Sequence, residues 1–317
     1  MRTFIDFDDA PVFSIPRIDG SVYAGVLVEG PQGWGEFAPG LEADLETAVR
    51  WLTSAVEPGT VGWPDPVRGR IPIAVSVPDV DAERARQLVA QSGCAAADVT
   101  VAAHPGSLVE DLARVAAVRE VLGSGGVIRL DARGCWDVDT AAAAIPELER
   151  AAGGLEFVAQ PCPDLDQTAR VRAKVGVRIA VPVTVQTPAA ELADAADVLV
   201  LTTGPLGGVR RALRVAERCE LPAVVTSAGE TTIGLSSGLA LAGALPDLPF
   251  ACALDGVSRL RADVVPGSRS LIPVDGHLPV APMPPGPDRE ALDRFAVTDA
   301  AAVARWRALV TAALSRL

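Results

Sequence analysis

The sequence predicts an α/β protein, a (β/α)8-type barrel joined to an α+β capping domain. Short β-branched or apolar runs begin near Ile71, Asp98, Val127, Gly154, Val177, Val198, Pro222 and Pro249, 21 to 29 residues apart. Between them, apolar side chains recur at helical spacing over 80–92, 107–123, 138–152, 164–175, 187–196, 207–220 and 230–246. Strands and helices alternating at that period form a closed ring of parallel strands with helices outside. A doubly wound open sheet is the competing architecture. Such sheets usually carry a Gly-x-Gly-x-x-Gly turn after a strand, and none occurs here.

The cap is drawn from both ends of the chain. Residues 1–40 alternate apolar runs (Phe4-Ile5-Asp6-Phe7, Ser21 to Val28, Gly33 to Phe37) with turn pairs such as Asp19-Gly20 and Gly30-Pro31, a β-meander signature. A helix follows over 43–56, and the Pro/Gly-rich stretch from Gly59 to Arg70 marks a boundary. After Asp263 a Pro/Gly-rich tail over 264–288 leads to helical patterns at 289–295 and 298–316, expected to pack back onto the meander. The expected division is a cap at 1–68, a barrel at 69–265, and a returning tail with two helices at 266–317.

Composition narrows the function. With 317 residues, 49% of them hydrophobic, the chain buries a sizeable core. Net charge is −12 with no basic cluster, which excludes an electrostatic footprint for nucleic acid. No apolar run approaches the roughly 20 residues that span a bilayer, and the acids in Met1 to Asp9 do not suit a signal peptide. The expected protein is cytoplasmic, without a membrane partner, and composition leaves its oligomeric state open. Cys94, Cys135, Cys162, Cys219 and Cys252 include no Cys-x-x-Cys pair, so reduced thiols are expected. Lys174 is the only lysine and the other 27 basic residues are arginines, which are poor general bases.

In a barrel of this kind the chemistry sits at the C-terminal ends of the strands. Those ends read Thr100, Asp131, Ala159-Gln160, Pro182-Val183, Thr202, Ser227 with Gly229-Glu230, and Asp255. They hold no lysine or histidine and one well-placed carboxylate, Asp131, delivered by the run from Val127 to Asp139. Arg129 and Arg133 lie two residues to either side of it, so a carboxylate held by an arginine is the plain structural expectation. His104 and His277 adjoin Pro/Gly loops and read as surface residues.

Several segments in order carry a family likeness: Gly33-Trp-Gly-Glu-Phe-Ala-Pro39, Ser92-Gly-Cys94, Arg129 to Thr140, Leu155-Glu-Phe-Val-Ala-Gln-Pro-Cys162, Pro205-Leu-Gly-Gly-Val209 and Ser227-Ala-Gly-Glu-Thr231. Through them the chain resembles the enolase superfamily, and within it the actinobacterial o-succinylbenzoate synthases of menaquinone biosynthesis. The resemblance implies a Mg²⁺-assisted dehydration, with one lysine as base, a second lysine on the opposite wall, and three carboxylates on the metal. An enediolate needs such stabilisation because an α-carboxylate proton is so weakly acidic. Against that pattern the lysine pair of the second strand falls on Asp98 and Thr100, the first metal ligand on Asp131, the second on Ala159, the third on Pro182, and the sixth-strand lysine on Thr202.

The expectation is a protein without metal or other cofactor, acting on a small molecule. Its first reading is a repurposed, metal-independent enzyme of specialised metabolism, performing a cyclisation, dehydration or pericyclic step on a cyclic or polyketide-like substrate. The alternatives are a non-catalytic small-molecule-binding pseudoenzyme and the parental lyase, o-succinylbenzoate synthase. Candidate catalytic residues are Asp131, Thr100 and Thr202. Candidate substrate-binding residues are Arg133, Gln160, Ser227, Gly229, Glu230, Tyr23 and Trp34. Plainer readings stand beside these: Thr100 and Thr202 as β-branched strand residues, and Glu230 as an acid favoured at a helix start.

Overall fold

The computed structural model describes residues 5–184, 187–281, 283–284 and 286–317. The chain opens with an antiparallel meander, β1 (Val12–Pro16), β2 (Val22–Gly30) and β3 (Gly33–Phe37), followed by α1 (Leu45–Thr60). The two-residue turn at Pro31-Gln32 sets β2 against β3 so that Val26 faces Phe37 and Glu29 faces Trp34. Phe4 lies outside the described residues, and 5–7 carry no strand, so the first expected run is a lead-in rather than a stave.

The barrel then builds as read. β4 (Arg70–Pro72) and β5 (Ala74–Val77) lead to α2 (Ala82–Ser92), β6 (Ala96–Thr100), α3 (Leu108–Leu122), β7 (Val127–Asp131), α4 (Val138–Ala152), β8 (Val158–Ala159) and α5 (Leu165–Arg172). β9 (Ile179–Pro182), α6 (Ala189–Ala195), β10 (Val198–Leu201), a short α7 (Thr203–Leu206), α8 (Val209–Cys219), β11 (Ala223–Val225) and α9 (Thr232–Ala244) follow. β5 to β11 form a parallel seven-stranded sheet in sequence order. The eighth stave is irregular: parallel bridges Ile73–Cys252 and Thr226–Ala253 join residues 252 and 253 to both edges of the sheet. The bond from Ala74 N to Cys252 O (2.9 Å) and that from Ser227 N to Ala253 O (2.9 Å) complete the ring. Side chains of Asp81, Asp137 and Asp164 cap α2, α4 and α5, which places several of the chain's acids at helix starts where the dipole favours them.

Two large apolar clusters result. One lies between the barrel staves and the outer helices. The other joins the meander and α1 to Val264, Val265 and the last helix. The tail does not go straight back to the cap. β12 (His277–Pro279) first pairs with β4, after which α10 (Arg289–Phe295) and α11 (Ala300–Leu314) return, with Trp306 edge-on to Phe37 at 6.2 Å.

Polar contacts fasten cap to barrel. Glu57 of α1 reaches the start of α8, where its carboxylate accepts from Val209 N (2.6 Å) and Arg210 N (3.0 Å). α8 has no cap from its own chain segment, because Gly208 supplies no side chain. A Cβ on Gly208 would lie 2.3 Å from Glu57 Oε2, and its φ of +106° is one that L side chains rarely adopt, so this contact requires glycine. Glu57→Ala leaves two backbone donors without partners and is expected to cost about 2 kcal/mol. Urea denaturation checks this, and an unchanged midpoint would show that water replaces the carboxylate there.

Candidate active site at the barrel mouth

The register of the parallel strands fixes the mouth. Thr100 at the end of β6 lies beside Asp131 at the end of β7, which in turn lies beside Ala159 at the end of β8. Pro182 ends β9 opposite Val200 of β10, and Thr202 follows β10 as the residue before α7, with no capping bond from its side chain. Below them Phe157, Ala180, Val198, Val224 and Phe250 pack together, the two phenyl rings edge-on at 5.5 Å, with the buried Arg129 over the Phe157 ring. The three candidate catalytic residues therefore lie round one end of the barrel, Thr100 and Asp131 as neighbours and Thr202 farther round the ring.

Asp131 is not held by an arginine side chain. Its Oδ1 accepts from the backbone N–H of Arg133 at 3.0 Å. β7 ends at Asp131, and Arg133 sits in the following turn at φ +51° with its side chain exposed, so it no longer shares the strand face. Arg129 lies one layer deeper and is fully buried. Its Nε donates to Asp98 Oδ2 (3.2 Å), its Nη1 donates to Ala251 O (2.5 Å), and its guanidinium lies over the Phe157 ring at 5.2 Å. Glu156 approaches it at 3.8 Å. Burial, reinforced by the charge of Asp98, pushes the Asp131 carboxyl up to about 6, against the pull of Arg133 and Arg259.

The turn after β11 closes on itself. Glu230 Oε2 accepts from Ser227 Oγ (2.7 Å) and Ala228 N (2.8 Å), while Gly229 N donates to Ser227 Oγ (2.7 Å). Glu230 is buried and precedes Thr231, the actual cap of α9, so its position is set by this turn rather than by the helix start. Tyr23 is buried and donates to Glu36, as does Thr231 from the barrel side. Trp34 lies half-buried against Gly286 of the tail. Gln160, at φ +42°, turns its carboxamide toward Gly134. Asp255 is spent on ring closure, accepting from Ser76 N (2.7 Å) and Ser76 Oγ (2.6 Å). Lys174 pairs with the exposed Asp139 (3.2 Å), and the exposed His104 pairs with Glu110 (2.8 Å).

Glu36, Arg17 and Arg259 escape the sequence reading. Glu36 had a signal, an acid in the middle of a short strand with Phe37 beside it. The two arginines had none, since only the pairing of Arg17 with Leu260 brings their segments together.

A model described as the enolase C-terminal domain-like family matches residues 80–287, and one described as enolase N-terminal domain-like matches 21–59. The chain belongs to the enolase superfamily. It is 48% identical over 276 residues to an o-succinylbenzoate synthase of Thermobifida fusca, covering 84% of this chain and 86% of that one. It is 43% identical over 270 residues to an o-succinylbenzoate synthase of Mycolicibacterium smegmatis, covering 84% and 82%. Among solved structures, an L-Ala-D/L-Glu epimerase from Bacillus subtilis superposes with a TM-score of 0.76 at 20% identity, over 91% of this chain and 100% of that one. A muconate lactonizing enzyme from Pseudomonas putida gives 0.75 at 20% identity, over 92% and 99%. These two show the superfamily fold. No helix among the described residues is long and apolar enough to cross a membrane.

Mg²⁺, which the superfamily resemblance implies, wants near-octahedral oxygen ligands, usually with carboxylates among them. The donors at this mouth do not fit it. Asp131 is flanked by Thr100 and Ala159, Asp98 is turned to Arg129, and Asp255 is engaged by Ser76. Among the described residues no three His, Cys, Asp or Glu side chains cluster to hold a metal ion.

Glu36 gives a pH prediction. Burial raises its carboxyl from 4.5 to about 8, outweighing the Thr231 and Tyr23 hydroxyls, with Glu230 and Asp263 adding to the rise. Its folded value lies above its unfolded one, so its contribution to stability is complete below 4.5 and is lost as pH climbs through 8. The melting temperature of the native protein is expected to fall more between pH 7 and pH 9 than that of Glu36→Gln, whose side chain cannot ionise. Equal falls in a thermal scan would place the ionisation elsewhere.

Proposed function

We propose that this chain is an o-succinylbenzoate synthase-like barrel that takes a cyclic or aromatic carboxylate at its mouth and acts on it without a Mg²⁺ and two-lysine apparatus. The supporting observation is the set of side chains at the strand ends: Thr100, Ala159, Pro182 and Thr202 around a single carboxylate, Asp131. Threonine is no base for an α-carboxylate proton, and Ala and Pro offer a metal no side-chain donor. Removing one stabilising group from such a site typically costs about 10²–10³ in rate, so the loss of several ends that reaction.

What remains suits a different task. Ala159, Ala180 and Val200 make the strand ends apolar on this side, which suits a ring better than a polar chain. Asp131 exchanges a proton near neutrality, Thr100 and Thr202 offer hydroxyls, and Arg133 and Gln160 lie on the loops above. Proximity of reactive groups at such a site supplies several kcal/mol toward a cyclisation or dehydration.

A second reading, o-succinylbenzoate synthase itself, is favoured by the 48% identity to the Thermobifida fusca protein over most of both chains. Assay of the purified chain for o-succinylbenzoate formation, with Mg²⁺ and with EDTA, separates the two. The first reading expects no Mg²⁺-dependent product, together with a rise in melting temperature on adding o-succinylbenzoate that is the same in both media. Mg²⁺-dependent turnover would establish the second, and absence of any thermal shift would remove the first.

A further inference from the structure

Cap and barrel bury two acids against each other. Glu36 lies on β3 of the cap and Glu230 in the turn that leads from β11 to α9, and both side chains are buried. They converge on Gly234 in the first turn of α9, where a Cβ would stand 2.8 Å from Glu36 Oε1 and 2.7 Å from Glu230 Cβ. Only a residue without a side chain lets the two acids come so near. Their partners differ in kind. Glu36 accepts from the hydroxyls of Tyr23 and Thr231, whereas Glu230 accepts from Ser227 Oγ (2.7 Å) and from a backbone donor, Ala228 N (2.8 Å). Burial raises both carboxyls, backbone N–H groups oppose the rise at Glu230, and the charge of Glu230 adds to the rise at Glu36.

The seam that the two acids face is thinly filled. A cavity of about 10 Å³, close to the room a single water needs, lies between Glu36, Glu230, Trp51, Trp63, Thr203 and Ser237. Trp63 Nε1 is buried there and has no hydrogen-bond partner among the described residues. The other charged groups around Glu36 are engaged elsewhere. Asp263 adds negative charge and is turned to Thr232 Oγ1 (2.6 Å) and Ser270 Oγ (2.7 Å). α1 brings Glu57, which is committed to the start of α8. On the cap side the Arg17 guanidinium lies over the Tyr23 ring at 5.0 Å and forms no ion pair with Glu36. A charge on Glu36 therefore meets like charge in Glu230 and Asp263, and its relief has to come from water.

We infer that Glu36 and Glu230 form a proton-dependent latch between cap and barrel: a protonated Glu36 seats the cap, and its ionisation beside Glu230 draws water into the seam and lifts the β3 edge. Glu57 keeps α1 joined to α8 throughout, so the movement is local and neither domain unfolds. Glu230 belongs to the turn after β11. Unseating the cap therefore reaches the rim of the barrel mouth, whatever molecule the mouth takes.

Tryptophan emission of the full chain, followed against pH at room temperature, tests this because Trp51 and Trp63 line the seam. The native protein is expected to show a red shift between pH 7 and pH 9, and Glu36→Gln to show none. Over the same range, backbone hydrogen exchange in β3 and the first turn of α9 is expected to speed up about tenfold more than in Glu36→Gln, while β6 to β10 keep pace with that variant. Glu230→Gln removes the neighbouring charge and moves the emission midpoint to lower pH. Tyr23→Phe removes a hydroxyl that favours the ionised acid and moves it to higher pH. These opposite movements decide the matter even if Glu36→Gln does not fold, and midpoints that neither variant moves refute the latch. If native emission stays flat while the melting temperature falls, the proton leaves only on unfolding, and the latch is refuted as well.

Discussion

The cap of this protein is held on its barrel by buried glutamic acid side chains, and the rest of the site depends on that. Glu57 crosses from α1 to supply the N-terminal cap that α8 lacks. Glu36 stands between Tyr23 of the cap and Thr231 of the barrel. A buried acid is tolerated when its oxygens are satisfied or when it stays neutral, and the two residues illustrate the two routes. Glu57 lies at a helix start, where the backbone donors of Arg210 and Val209 satisfy its oxygens and offset part of the burial that raises its carboxyl. Glu36 has hydroxyl partners only, and burial keeps it protonated at neutral pH. Because these contacts fix the cap, the loop carrying Arg17 has a defined place against Gly229 and Leu260.

Within the barrel, two layers have separate duties. The deeper one joins Arg129, Asp98 and Glu156 to the phenyl rings of Phe157 and Phe250. Asp98 Oδ1, Arg129 Nη2 and Glu156 Oε2 lack partners within it, an uneven match for three charged groups. The layer above holds Thr100, Asp131, Ala159, Pro182 and Thr202, most of them too short to reach across the ring. Asp98 belongs to the lower layer by its bond to Arg129 and touches the upper one only through its charge, which helps to raise the Asp131 carboxyl.

The architecture was readable because period and composition agree along most of the chain. From Ile71 onward, helix spacing, acidic starts and β-branched runs all point to one answer. The irregular eighth stave was legible as an apolar run but not as a pair of bridges, since nothing local distinguishes Cys252 and Ala253 from a regular strand. At the mouth, the sequence placed Thr100, Asp131 and Thr202 at strand ends because strand register follows from parallel pairing. The expected shared face of Arg133 and Asp131 is absent, because the left-handed turn at Arg133 depends on how the chain leaves β7. Trp34 packs on a tail some 250 residues later, a contact no local pattern encodes. Arg17 shows the same limit, a residue of unremarkable context until Leu260 is brought beside it.

Ring closure has a further consequence. The eighth stave meets its neighbours through isolated bridges, where the other staves share ladders, and Asp255 reinforces that closure by gripping Ser76. Sparse backbone pairing makes a local opening cheaper than elsewhere in the ring. The segment with Arg259 leaves the barrel at this seam and is stitched at once to the cap. The weakest seam of the ring is therefore also the place where the barrel is tied to the cap.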